Sequence, residues 1–226
     1  SLFALRNGRQ GGELRAGRKV VFRRDYWLYY VLTFLMGSRR HIFSTFAIFL
    51  LVQVYGISVR QTAILFLFNN LVTTYAAAQL GRLVARFGER KVLTFNFLGL
   101  VFVFLGYAFV PYLPVLYALF VLDHIFFSLN LAVDSYFQKI AHTPQEITSN
   151  VSMAQTINHV SALIVPVVGG LLWEQVSPSA TFLAGVAIAV TSLAMVQFMR
   201  PGPTPVAEPV PGLPSTRDPG FSGTRQ

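Results

Sequence analysis

Six apolar runs dominate the chain, and each is long enough as a helix to cross the hydrocarbon core of a bilayer, which is about 30 Å thick and takes about 20 residues. They are Tyr26–Tyr55, Gln61–Leu80, Val92–Val110, Val115–Phe137, Ile147–Trp173 and Ala180–Met199. Turn-forming residues separate them: Gly56, Gly88, Pro111 with Pro114, Pro144 and Pro178. The first and fifth runs exceed one perpendicular crossing, which predicts tilt or extension beyond the lipid. Charge makes the same point. Only 12% of the 226 residues are charged, against roughly 25% in soluble domains. Residues 26–199 hold eight of the 18 basic and five of the nine acidic groups, too little polar surface to cover a fold of that size in water. Cysteine is absent, which excludes disulfides and thiolate metal sites.

The basic residues also orient the chain. Six crossings put both tails on one side, together with the second and fourth connections. Those segments hold seven basic residues (1–25), four (81–91), one (Lys139) and three (200–226), whereas the opposite side has only Arg60. This alternation predicts an integral, multi-pass cell-membrane protein with both termini cytoplasmic. Five or seven crossings would destroy it. The net charge of +9 therefore flanks spans instead of forming a soluble basic face, which argues against a nucleic-acid partner. Residues 1–25 read as a basic cytoplasmic linker lying near anionic lipid, without the apolar core of a signal peptide. Residues 26–199 form the six-span domain. Residues 200–226 hold seven of the twelve prolines and read as a disordered cytoplasmic tail. The chain opens at Ser1 and not at Met, which suggests a piece of something longer.

The second connection runs Gly81-Arg82-Leu83-Val84-Ala85-Arg86-Phe87-Gly88-Glu89-Arg90-Lys91-Val92-Leu93. It resembles the loop signature of the major facilitator superfamily of secondary transporters, G-x-L-a-D-r-f-G-r-R-k-v-l, at the matching place between the second and third helices. Gly81, Leu83, Arg86, Phe87, Gly88, Arg90, Lys91, Val92 and Leu93 match. Ala85 stands where the family has an Asp that helps latch two halves together, and Glu89 stands where it has a basic residue. The fifth run ends in Val165-Pro166-Val167-Val168-Gly169-Gly170-Leu171-Leu172-Trp173-Glu174. Pairing Leu83 with Leu172 gives a faint echo of the loop three helices on, as an inverted repeat would. The resemblance implies an all-α membrane protein: six transmembrane helices forming the C-terminal half of a twelve-helix bundle, with an inverted three-plus-three repeat. The implied partners are the lipid bilayer, a small solute, and either an N-terminal six-helix half of the same longer chain or a second copy.

Polar residues at membrane depth are the candidate site, because ionisable groups there usually face the bundle interior or a wet cavity. Arg39, Arg40 and His41 lie about 20 Å in from the start of the first run. Asp123 and His124 lie about 12 Å from the other surface, and His159 about 18 Å from the first. All reach nearly one level. Asp123, Asn130 and Asp134 share a helical face within about 20°. Thr148, Ser152, Gln155 and His159 form a second polar stripe, with Asn158 beside it. The resemblance implies that the first, fourth and fifth helices line the cavity and the third and sixth face lipid. Arg40 or Arg39 would bind an anionic group, and Asp123, with His159, would relay a proton. Two arginines against one aspartate favour an anionic solute slightly. Each residue also has a plainer reading: Arg39 and Arg40 point 100° apart, so one can pair structurally while the other faces a cavity, and the histidines can be packing residues. Asn69 and Asn70 are expected to hydrogen-bond between helices. No metal pair, nucleophile elbow or phosphate loop occurs, so neither a catalytic site nor a cofactor is expected. The expected function is solute transport by alternating access, coupled to a proton; the rival is a six-span scaffold that transports nothing.

Overall fold

The computed structural model describes residues 26–141 and 143–199; the linker and the Pro-rich tail lie outside the described residues. Among the described residues seven helices run in order: α1 (Trp27–Gln53), α2 (Val59–Phe87), α3 (Glu89–Phe109), α4 (Leu113–Ser128), α5 (Leu131–Ile140), α6 (Pro144–Gln175) and α7 (Pro178–Val196). There is no strand among the described residues. Five spans are long and apolar enough to cross a membrane, α4 and α5 counting together as Leu113–Ile140; α2, bent by 42° between Ala77 and Gln79, makes six. The fold is therefore all-helical and membrane-spanning.

Local chemistry sets the helix ends. Ser58 accepts a hydrogen bond from the Gln61 amide at 3.3 Å while Gln61 Oε1 accepts one from the Ser58 amide at 2.8 Å, a reciprocal cap that starts α2. Thr143 and Ser177 cap α6 and α7 in the same sense, and proline occupies the first turn of α4, α6 and α7, where its missing N–H costs nothing.

Two expectations require correction. The fourth run was expected as one helix, but it breaks at Leu129–Asn130. There the amides of Leu129, Asn130, Ala132 and Val133 donate to carbonyls three residues back, a local tightening. Apolar periodicity cannot register such a shift. Ser128, whose hydroxyl bonds back to the His124 carbonyl at 3.2 Å, is the kind of residue that competes with regular helix. The second run, expected to end at Leu80, continues to Phe87, so Gly81 and Arg86 sit on helix and not in a loop. The whole connection to α3 is Gly88, at φ +81°, a backbone conformation that favours glycine. Charge marks where lipid ends; it does not mark where a helix ends.

The packing repeats itself. α1 packs on α6 and α7; its counterpart three spans on, α4 with α5, packs on α2 and α3. α3 packs on α7, and α2 on α3 as α6 on α7. Exchanging spans one to three with four to six leaves this pattern unchanged. Because successive spans alternate in direction, the exchange relates inverted units, as the three-plus-three repeat requires.

Phe43, Phe104, Phe120, Phe137 and Phe182 are buried where these helices meet. Close approach depends on small residues: a Cβ on Gly169 would lie 2.4 Å from the Phe46 ring, and the Gly169 carbonyl accepts from Thr181 at 3.0 Å. At the end of the bundle carrying Gly88, Tyr26 donates to Glu146 at 2.7 Å and Tyr30 donates to Asn150. These two rungs, one turn apart, clamp α1 to α6. Gly169→Leu is expected to cost about 1–3 kcal/mol by overpacking, read as a lowered melting temperature in detergent. Gly170→Ala, with nothing within 4 Å of its Cβ, is expected to leave it unchanged; equal effects of the two substitutions would refute the contact.

Candidate functional site

Arg39 and Asp123 form an ion pair in the bundle interior. Arg39 Nη1 donates to Asp123 Oδ1 at 2.8 Å, with side chains 1% and 6% exposed. Arg39 Nε and Nη2 have no acceptor among the described residues. Two desolvated charges repay their desolvation only through each other, so losing either strands the other. The pair ties α1 to α4, the two helices that the internal repeat makes equivalent. Around Asp123 the other polar neighbours are His124 and Tyr107; Tyr107 donates its hydroxyl to the Leu116 carbonyl at 2.9 Å.

One residue on, the α1 backbone has turned about 100° and Arg40 leaves the interior. Its guanidinium carbon lies 4.6 Å from the centroid of the Phe127 ring, within cation–π range. Arg40 lines a cavity of about 290 Å³ between α1, the α4–α5 break and α6, together with Asn130, Asp134, Gln155 and Asn158. Thr33, Met36, Gly37, Phe127, Val133 and Ala154 complete the wall. Five of the ten candidate residues thus share one polar cavity. Among the described residues the ion pairs are Arg39–Asp123 and Lys139–Glu89, so the charges of Arg40 and Asp134 both face the cavity without a direct partner. Asn130 sits in the break itself, its buried Oδ1 without a hydrogen-bond donor among the described residues.

The remaining candidates fall elsewhere. Asp123 shares a calculated helical face with Asn130 and Asp134 only in an unbroken helix; the break puts it in the ion pair and the other two on the cavity. His124 hydrogen-bonds through Nδ1 to the Phe120 carbonyl at 2.9 Å and packs between the Phe43 and Phe120 rings. His41 neighbours Asn158 and His159, on the α6 side, and His159 is exposed there. His159 is thus exposed on α6, whereas Asp123 is buried against Arg39. Asn69 is buried with its Oδ1 unpartnered among the described residues, whereas Asn70 is exposed; the interhelical bond expected between spans is not formed by Asn69.

Sequence reasoning passed over Thr33, Gly37 and Phe127. Thr33, Met36, Gly37 and Arg40 fall at i, i+3, i+4 and i+7, one helical face, and that spacing was the available signal. Gly37 matters because a Cβ there would lie 2.9 Å from Asn158 Oδ1; the missing side chain lets the polar edge of α6 approach α1. Of the loop residues, Glu89 accepts from Lys139 Nζ at 2.7 Å and Ser135 Oγ at 2.9 Å. Arg90 donates to Gln197 at 3.2 Å, and Gln197 donates to Thr94 at 3.2 Å. The connection is thus held to α5 and to the end of α7. Arg86 lies beside the Phe87 ring, and Gly81 has open space around it.

A helical bundle that spans the membrane and carries an open polar cavity beside a buried ion pair belongs to the class of polytopic membrane proteins. The family model of the Major Facilitator Superfamily matches residues 27–223, and the chain belongs to that superfamily of membrane transporters. No curated protein and no solved structure matches it.

Removing one partner of the buried pair, in Arg39→Ala or Asp123→Ala, is expected to cost about 3–5 kcal/mol, measured by thermal unfolding in detergent. The joint replacement Arg39→Met with Asp123→Leu is expected to recover most of that loss. A double variant no more stable than the singles would show that the pair is not the source of the cost.

Proposed function

We propose that the chain is one six-helix half of a secondary transporter, its tails cytoplasmic, that moves a small anionic solute by alternating access and couples that movement to a proton. The observation that carries this reading is the cavity shared by Arg40, Asn130, Asp134, Gln155 and Asn158. Polar and charged side chains from three separate spans converge at one depth, which lipid would penalise and a hydrated solute path would not. A further six-helix unit, from the same longer chain or from a second copy, would close the path on the side these helices leave open.

In this reading Arg40 binds the anionic group, since its charge faces the cavity while that of Arg39 is consumed by Asp123. Asn130, Gln155 and Asn158 supply neutral hydrogen bonds that orient the solute. Asp123 carries the proton. Protonation removes its charge, leaves Arg39 uncompensated next to Arg40, and so raises the positive potential where an anion would sit; proton and anion then favour each other's entry. His159 has no step in this reading. The rival reading, a scaffold in which the buried charges are structural only, gains support from the complete burial of Arg39.

Uptake of radiolabelled mono- and dicarboxylates under an inward proton gradient separates the two. Arg40→Ala is expected to lower uptake at least tenfold with little change in melting temperature, because Arg40 is exposed to the cavity. The double variant Arg39→Met with Asp123→Leu is expected to remain folded but to lose dependence on the gradient. Full gradient-driven uptake in both variants would remove the proposed site. Folded protein assembled with its second six-helix unit, and still without uptake of any tested solute, would favour the scaffold.

A further inference from the structure

A second cavity lies outside the proposed solute path. It is a groove of about 310 Å³ between the last turns of α2 and the first turns of α3, lined by Leu83, Phe87, Lys91, Val92 and Phe95. Four of these five side chains are hydrocarbon, and Phe87 and Phe95 are 49% and 60% exposed. The charged one, Lys91, stands two residues into α3, and Phe95 lies one turn deeper, about 6 Å along the axis. The groove thus has an apolar floor at lipid level and a cation at its mouth, the division of labour that long basic side chains adopt at a membrane interface.

The surrounding charge is one-sided. Residues 81–93 contain Arg82, Arg86, Arg90 and Lys91 against Glu89 alone. That carboxylate is already engaged by Lys139 and Ser135 on α5. Arg86 lies at the groove's edge, its guanidinium carbon 5.5 Å from the Phe87 ring centroid. Among the described residues neither Lys91 nor Arg86 pairs with a carboxylate, so two cations stand immediately above an apolar cleft. A soluble phosphate would answer the cations and leave the walls bare. A zwitterionic lipid would cover the walls and leave the cations uncompensated. A phospholipid of net negative charge satisfies both, and basic pockets between transmembrane helices are known to take such headgroups.

We propose that this groove binds an anionic phospholipid of the adjoining leaflet, with an acyl chain along Leu83, Val92 and Phe95 and the phosphate against Lys91 and Arg86. The bound lipid would sit on the one-residue connection at Gly88, so it would bridge α2 and α3 at the point where the backbone link between them is shortest. Occupancy does not require the solute path to operate.

Native mass spectrometry of the full chain released from detergent tests this, with dioleoyl phosphatidylglycerol and dioleoyl phosphatidylcholine supplied together. The native chain is expected to retain the glycerol lipid over the choline lipid by roughly fivefold per engaged cation. Lys91→Gln is expected to reduce that preference about fivefold, and Lys91→Gln with Arg86→Gln to bring the two lipids to parity. Arg60→Gln, at the other end of the bundle, is expected to leave the preference intact. Leu83→Trp, which fills the groove, is expected to lower retention of both lipids while leaving the charge untouched. Equal retention of the two lipids by the native chain would overturn the proposal, as would equal effects of Lys91→Gln and Arg60→Gln. Displacement of the lipid by millimolar glycerol phosphate would show a soluble phosphate site instead and overturn it too.

Discussion

Everything at the centre of this bundle is arranged around one desolvated guanidinium–carboxylate contact. In hydrocarbon surroundings an unpaired Arg39 or Asp123 is costly, so their helices meet at that level and in that rotation. The meeting also sets the direction of the next side chain on α1. With Arg39 turned to the interior, Arg40 is directed about 100° away, onto the face shared by Thr33 and Gly37. That face looks toward α6, where Gln155 and Asn158 stand, and toward the break that exposes Asn130. The polar cavity is thus a geometric by-product of burying its neighbour.

The internal repeat gives this arrangement its symmetry. The contact joins the first span to the fourth, the pair exchanged by the repeat, and so lies where two inverted units face one another. Away from it, packing is carried by rings and by missing side chains. Phe46 occupies the space that Gly169 leaves, and Phe104 does the same over Gly185. Tyr26 and Tyr30 close the end near Gly88 with hydrogen bonds to Glu146 and Asn150. These devices hold α1 to α6 and α3 to α7, whereas α2 leaves Ile64, Leu67, Phe68 and Leu71 uncovered.

Much of the fold was legible in the sequence because a bilayer imposes a length and a polarity on each crossing. Six runs and their order could be read from that constraint alone. Helix ends could not, since α2 carries its charged residues on helical turns beyond the apolar stretch. The break at Leu129–Asn130 was hidden for a different reason: its residues are apolar or amide-bearing and fit either a regular or a tightened turn. The candidate residues were chosen by depth, and depth did not separate roles. Arg40, Asn130, Asp134, Gln155 and Asn158 came together, but His124 was drawn to its own helix carbonyl and aromatic neighbours, a contact invisible to any estimate of depth. Glu89 shows the reverse. Its departure from the family pattern left it without an obvious role, and only the fold brings Lys139 and Ser135 to it.

The interruption at Leu129–Asn130 divides one crossing into two rods tethered to different anchors. The rod above the joint is pinned to α1 through Asp123; the rod below it is stitched through Ser135 and Lys139 to Glu89, where α3 begins. The two parts of this crossing thus answer to different neighbours, α4 to α1 and α5 to the start of α3. Whatever changes at Glu89 therefore bears first on the part of the crossing that carries Asp134, and only through it on the part that carries Asp123.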